Sequence, residues 1–238
     1  MCRAASTFIL HPSSLILFLM ISAVVLAAGM STRMGTLKQL LPFGESTVLG
    51  SVIKNLQIAS IDRIVVVLGH EAEKVRESLQ TGTPPSLAAS ATMNTARDGG
   101  VPKTVEIVTN EEYVLGMFSS VQAGLRALNA DTETFLICLG DQPSIRGETI
   151  RALVQKFADC GKGIGIPFTE NDQGHPLFVS GKYLNELQMM APTLTLKHFL
   201  TAHSHDIARL PVEDSAILRD IDTPAEYEDE RRRYNCDI

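Results

Sequence analysis

The 238-residue chain is 45% hydrophobic and 20% charged, ample for a packed core in one α/β domain or at most two small ones. Its formal charge of -6 and pI near 5.5 exclude a protein whose main partner is nucleic acid, because phosphate neutralisation needs a basic excess. Cys2, Cys138, Cys160 and Cys236 form no C-x-x-C pair and have no histidine at ligand spacing, so neither a zinc site nor a disulfide framework is expected. The compartment therefore reads as reducing, hence cytoplasmic.

At the start of the chain, Arg3 and the apolar stretch from Leu15 to Leu26 imitate a secretory signal. Cleavage after Ala27 or Ala28 would remove the first strand, and His11, Pro12, Ser13 and Ser14 interrupt any membrane-length run. Met20 is a natural start. Residues 1–19 are accordingly expected to be an upstream extension without a fold role, and residues 20–238 a single domain with no membrane segment. From Ile21 onward, short β-branched runs alternate with segments of helical periodicity. The pattern predicts strands at Ile21 to Ala27, Arg63 to Leu68, Thr104 to Val108 and Thr134 to Leu139, separated by helices over Val48 to Ala59, Ala72 to Leu79 and Phe118 to Leu128. A fourth helix, Thr149 to Ala158, follows. Repeated βα units of this kind imply a mostly parallel sheet. Shorter strands are expected at Ile164 to Pro167 and Leu177 to Ser180, helices at Lys182 to Gln188 and Leu196 to Ala202, and the last strands within Ile207 to Ile221. A charged helix opens at Pro224; its mixed charge from Glu226 to Arg233 reads as a solvated face. Residues 81–103 lack periodicity and are expected to form a long, mobile loop.

Chemistry concentrates first in Leu26, Ala27, Ala28 and Gly29, directly after the first strand, with Arg33, Gly35, Lys38 and Pro42 beyond them. Small residues let a triphosphate approach the backbone and receive its N–H groups, while Arg33 and Lys38 supply positive charge that the overall composition lacks. Two commoner loops are excluded by spacing: Met34 stands where a P-loop needs glycine, and Ser31 where the dinucleotide fingerprint needs its second glycine. A lone Gly29 would be read as a plain strand-to-helix turn; the attached Arg33, Gly35 and Lys38 favour a phosphate loop.

The second segment is Leu139, Gly140, Asp141, Gln142 and Pro143, at the end of a strongly apolar strand. In open α/β sheets the carboxyl ends of strands border the ligand crevice, where Asp141 can hold a magnesium ion against substrate phosphates. Its competing job is to cap the helix after Pro143. In the third segment, Arg219 to Pro224, alternation puts Asp220 and Asp222 on one face of a strand before a proline-opened helix. One of them can be the second ligand of the ion; the other reading is an ordinary N-cap. Two weaker segments complete the set. Asn110 to Ser120 runs as a loop into a helix N-terminus, where the Gly116 backbone and the Ser119 or Ser120 hydroxyl read a base or cap the helix. Gly174, His175 and Pro176 form a turn in which His175 is either a base or a packing and acceptor-contact residue; His70, His198, His203 and His205 share no ligand spacing with a carboxylate.

In this order, L-A-A-G-x-S-x-R-M-G…K…L-P, G-M-x-x-S, G-D-x-P, G-H-P and D-I-D-T-P, the set resembles the molybdenum cofactor nucleotidyltransferases over the chain from Met20 nearly to its end. The resemblance implies a three-layer α/β/α, glycosyltransferase-A-like fold with a Rossmann-like sheet. It further implies an enzyme that uses CTP and Mg2+ to cytidylylate the phosphate of molybdopterin or its molybdenum form, for delivery to a molybdenum hydroxylase. On that likeness Leu26, Ala27, Ala28, Gly29, Arg33, Lys38, Gly116, Ser120 and Asp141 bind the nucleotide. Arg33, Lys38 and Asp141 are then catalytic, Asp141 and Asp222 hold the metal, and Gly174, His175 and Pro176 meet the acceptor. Relatives that transfer GMP resemble L-A-G-G at the first motif, so Ala28 favours CTP. Two alternatives stand beside this expectation: transfer to a sugar phosphate or another small phosphorylated acceptor, and a non-catalytic accessory protein that carries the cofactor.

Overall fold

A computed structural model of the chain describes residues 20–81, 104–170, 172–191 and 193–236. The extension expected at residues 1–19 lies outside the described residues, as does the loop expected at residues 81–103 except for Thr81, which ends a helix instead. At the centre stands β1 (Ile21–Ala27), flanked by β4 (Arg63–Leu68) and β6 (Thr134–Leu139), both parallel to it. Beyond β4 comes β5 (Thr104–Thr109), again parallel. Beyond β6 the order continues through β9 (Leu177–Ser180), β7 (Ile164–Thr169) and β10 (Ile207–Pro211). Of these, β9 is antiparallel to both neighbours, β10 is parallel to β7, and the two-residue β8 (Asp172–Gln173) pairs antiparallel with β7.

Alternation along the strands sorts side chains onto two faces, each covered by helices. Ala23, Val25, Val66, Leu68, Leu136 and Cys138 face α1 (Val48–Ile58), α2 (Ala72–Thr81) and α4 (Gly147–Asp159). Val24, Val65, Val67, Phe135 and Ile137 face α3 (Met117–Arg126), α5 (Leu184–Met189) and α6 (Leu196–Ala202). The result is the expected three-layer arrangement with a mostly parallel sheet. Each strand is apolar on both sides because both sides are covered, which is why Ile64 to Leu68 reads as a continuous apolar run and all five are at most 1% exposed.

A smaller cluster of Met34, Phe43, Val48, Ile221 and Tyr227 lies under α7 (Pro224–Cys236). It includes the short hairpin of β2 (Pro42–Phe43) and β3 (Ser46–Thr47), and the Tyr227 hydroxyl donates to the Pro42 carbonyl at 2.6 Å. Thr47 then caps α1 by accepting from the Gly50 N–H at 3.1 Å.

One expectation needs correction. The stretch Ile207 to Ile221 holds a single strand, β10; Ser215–Leu218 is a 3-10 turn, capped by the Asp214 carboxylate on the Ala216 N–H at 3.0 Å, and Arg219 to Asp222 is coil. The alternation there is real but has another cause. Ile221 points into the small cluster, and its N–H donates to the Asp141 carbonyl at 3.0 Å instead of joining a ladder, so Asp220 and Asp222 are presented outward without a strand. Among the described residues no helix is long and apolar enough to cross a membrane.

Candidate active site

The chain leaves β1 toward β4 and β5 on one side, and returns to the other side through β6, so the sheet reverses its winding between β1 and β6. A crevice opens at the carboxyl ends of strands at such a point. Register places Leu26 opposite Leu139, and the Gly140 N–H donates to the Leu26 carbonyl at 2.9 Å. A Cβ at Gly140 would lie 2.9 Å from the Leu26 oxygen and 3.0 Å from the Ala27 Cβ, so a glycine is required for the two strand exits to run side by side. Asp141 is thereby delivered next to the loop that follows β1.

Between these exits lies a cleft of about 260 Å³, and Leu26, Ala27, Ala28, Gly29, Lys38, Gly116, Ser120 and Asp141 all line it. Above Gly29 the space is empty, since a Cβ there would meet nothing within 4 Å. The glycine's use is therefore room for a ligand rather than an unusual backbone angle. Arg33 is not part of the lining; its side chain is 69% exposed and reaches Asp222 Oδ2 at 2.5 Å.

Lys38 is the centre of the charged group. Its Nζ donates to Asp141 Oδ2 at 2.5 Å and to Asp222 Oδ1 at 2.7 Å. Burial alone would lower the lysine's pKa, but the two carboxylates together carry it above the ordinary value. Burial dominates at Asp141 and, with the nearby charges of Asp220 and Asp222, holds its carboxyl above the usual range against the pull of Lys38. At Asp222 burial also pushes upward, yet the bonds and charges of Lys38 and Arg33 outweigh it and leave the carboxyl low.

Neither aspartate is occupied with helix capping. Thr223 caps α7, trading bonds with Glu226: its hydroxyl accepts from the Glu226 N–H at 3.3 Å, and the Glu226 carboxylate accepts from the Thr223 N–H at 2.8 Å. Helix α4 begins only at Gly147, six residues past Asp141. Asp141 is thus left to the cleft; Asp222 is not among the lining residues, but it rather than Asp220 shares Lys38 with Asp141.

One lining residue, Gln39, escapes a reading of the sequence, and two more, Tyr113 and Met117, stand in the Asn110 to Ser120 segment without being singled out there. Gln39 is 2% exposed, and its Nε2 donates to the Ala27 carbonyl at 3.0 Å and the Gly29 carbonyl at 3.2 Å, which pins the loop. A glutamine beside a lysine looks like surface; the carbonyls that bury it come from ten and twelve residues earlier. Tyr113 and Met117 form the opposite wall. The Gly174-His175-Pro176 turn does not line this cleft. Its His175–Pro176 bond is cis, the His175 N–H donates to the Ile217 carbonyl at 3.1 Å, and His175 and Pro176 line a small cavity with Gln142. Burial lowers the His175 pKa, with Asp220 acting in the opposite sense.

Residues 23–207 match the family described as the MobA-like NTP transferase domain. The chain belongs to that family. Molybdenum cofactor cytidylyltransferase of Escherichia coli K12 is 27% identical over 215 residues, covering 90% of this chain and 97% of the relative. Rv0371c of Mycobacterium tuberculosis H37Rv superposes with a TM-score of 0.68 at 25% identity, covering 90% of this chain and 98% of that one. A second structure of Rv0371c, described as a complex with manganese, gives a TM-score of 0.64 at 24% identity, over 90% and 98%. A nucleotidyl transferase from Methanothermobacter, Mth528, shares the fold with a TM-score of 0.70 at 22% identity, over 92% and 99%. Membership in the NTP transferase family makes the chain a nucleotidyltransferase, an enzyme that takes an NTP and a phosphorylated acceptor.

Proposed function

We propose that this NTP transferase moves CMP from CTP to the phosphate of a molybdopterin-type acceptor and releases pyrophosphate, with Mg2+ held by Asp141 and Asp222. The observation that carries the reading is the single ammonium of Lys38 shared by both carboxylates at the mouth of a small-residue cleft. Two acidic oxygens close enough to share one cation suit a hard divalent ion, which takes carboxylate ligands at about 2.0–2.1 Å. Asp141 Oδ1 supports the fit, being buried with no partner of its own. Charge balance points the same way. Arg33 and Lys38 are already matched by Asp222 and Asp141, so a triphosphate needs a further cation. The bound ion would supply charge neutralisation at the phosphates.

The chain's own residues do the rest. Backbone N–H groups and the open space at Gly29 receive the phosphate tail; with the ion taking over the two carboxylates, Lys38 and Arg33 would be released to neutralise charge on the phosphoryl oxygens and on the leaving group. An oxygen of the acceptor phosphate bonds to the α-phosphorus as the bond to the β-phosphate oxygen breaks. The acceptor oxygen is already anionic near neutral pH, so no general base is needed, and no histidine is among the cleft's lining residues. CTP as donor is supported by Ala28 and by the cytidylyltransferase relative, whose name also supports the acceptor.

Pyrophosphate release assayed with each of the four NTPs, against molybdopterin, sugar phosphates or no acceptor, tests donor and acceptor together. Release with CTP and molybdopterin, abolished by EDTA and restored by Mg2+, is the expected result. Faster release with a sugar phosphate would replace the acceptor, and release that survives EDTA would remove the metal.

A further inference from the structure

Asn110 directly follows β5 and is 6% exposed, with its backbone N–H donating to the Leu68 carbonyl at 2.8 Å. Its carboxamide orientation is decided by chemistry. Oδ1 accepts from the Glu112 backbone N–H at 3.0 Å, and because that group can only donate, Nδ2 must face the other way. There it donates to Ser119 Oγ at 2.9 Å and to Ser120 Oγ at 3.0 Å.

The two hydroxyls then differ. Ser119 directs its proton to the carbonyls of Glu112, at 3.0 Å, and Gly116, at 2.8 Å. Ser120 has no acceptor for its proton among the described residues, although it is only 4% exposed and lines the nucleotide cleft. A buried hydroxyl whose lone pair is taken and whose proton is unclaimed is stabilised by an incoming acceptor. The wall that carries it is firmly set, for Gly116 has φ +108° and ψ 175°, a conformation that glycine adopts and other residues resist.

We infer that Asn110 positions the Ser120 hydroxyl as a hydrogen-bond donor to a carbonyl oxygen on the nucleotide base, and thereby contributes to base selectivity. The inference rests on the nucleotide reading of the cleft. Cytosine offers one ring carbonyl and adenine none, so the device favours the former.

The test is equilibrium binding of CTP, 2-thio-CTP and ATP, where the sulfur of 2-thio-CTP replaces the pyrimidine carbonyl oxygen with a poor acceptor. Wild type should bind CTP about tenfold more tightly than 2-thio-CTP, the scale of one hydrogen bond to a buried group. Asn110→Asp keeps the volume and the Glu112 bond, but a carboxylate only accepts, so it takes the Ser120 proton and reverses the bond. Its CTP to 2-thio-CTP ratio should fall to about one to two; because a carboxylate at a position only 6% exposed lowers the melting temperature, the ratio is read below the variant's own melting transition. A carboxylate near the cleft would weaken all triphosphates alike, which leaves the ratio as the informative number. Ser120→Ala should lose the same discrimination, and the double variant should lose no more than either single one, as expected for residues acting as a unit. A wild type indifferent to the sulfur, an unchanged ratio in Asn110→Asp, or additive losses would each overturn the inference while leaving nucleotide binding intact. Failure of the wild type to bind any NTP would sink the proposed function along with it.

Discussion

Replacing Lys38 by Met keeps the unbranched stem, one atom shorter, and removes its charge, leaving Asp141 and Asp222 facing each other without the cation they share. The side chains of Lys38, Asp141 and Asp222 are 13%, 18% and 23% exposed, so the pairs lie between the buried and the surface case. Exposed pairs contribute about 0–1 kcal/mol and breaking a fully buried one costs about 3–5, which places this loss at about 2–3 kcal/mol. For a chain of this size that lowers Tm by roughly 4–12 °C. Its pH dependence follows from Asp141, whose carboxyl already sits high because burial outweighs the pull of Lys38. Without the ammonium it rises further. The variant's folded state therefore takes up a proton at higher pH than wild type, and the stability deficit, full above that raised pKa, shrinks as pH falls through it. Urea unfolding of both proteins at several pH values between about 5 and 8 measures the deficit, and Mg2+ should stabilise the variant more than wild type. A deficit that is flat across that range and indifferent to Mg2+ would show that the ammonium is not balancing these carboxylates.

Gly29→Ala introduces no strain, since its Cβ meets nothing within 4 Å, so stability should change by less than about 0.5 kcal/mol while CTP binding weakens by about tenfold. Unchanged CTP affinity in calorimetry would contradict the phosphate role of that loop. Gly124→Ala drives a Cβ from α3 into Val24 and to 2.9 Å from Val67 Cγ2, and this overpacking should outweigh the ~1 kcal/mol gained in helix propensity. Thermal melting should show a lower midpoint; a higher one would mean the helix can lift from the sheet at little cost. Burial pushes the Cys138 thiol far above its usual range, so it should resist iodoacetamide in the native protein and react on unfolding, as read by mass spectrometry of the modified peptide.

Much of the fold was legible because both faces of the sheet are covered, which turns each central strand into an uninterrupted apolar run and each helix into a one-sided stripe. Strands such as Arg63–Leu68 and Thr134–Leu139 fall where the residues alone place them. The hairpin of β2 and β3 was not legible, since two-residue strands carry no periodicity. Alternation misled at Arg219 to Asp222, where inside-outside sorting comes from one buried Ile221 and a bond to the Asp141 carbonyl rather than from a ladder. For the site, the loop after β1 and the carboxylate after β6 could be found from strand ends. That Asp222 meets Lys38 across 184 residues could not; the family resemblance only favoured Asp222 over Asp220 as the partner of Asp141. Gln39 and Asn110 were missed as site residues for a shared reason: their partners are backbone and hydroxyl groups whose approach is decided by the fold, not by neighbouring sequence.

The meeting of Lys38 with Asp222 also bears on how the protein comes into being. A ribosome that has delivered the first two hundred residues has made the loop after β1, Lys38 and Asp141, but the Asp222 carboxylate is still to be translated. Until that last stretch emerges and Ile221 docks against the Asp141 carbonyl, Lys38 has only one of the two carboxylates that balance it in the finished fold.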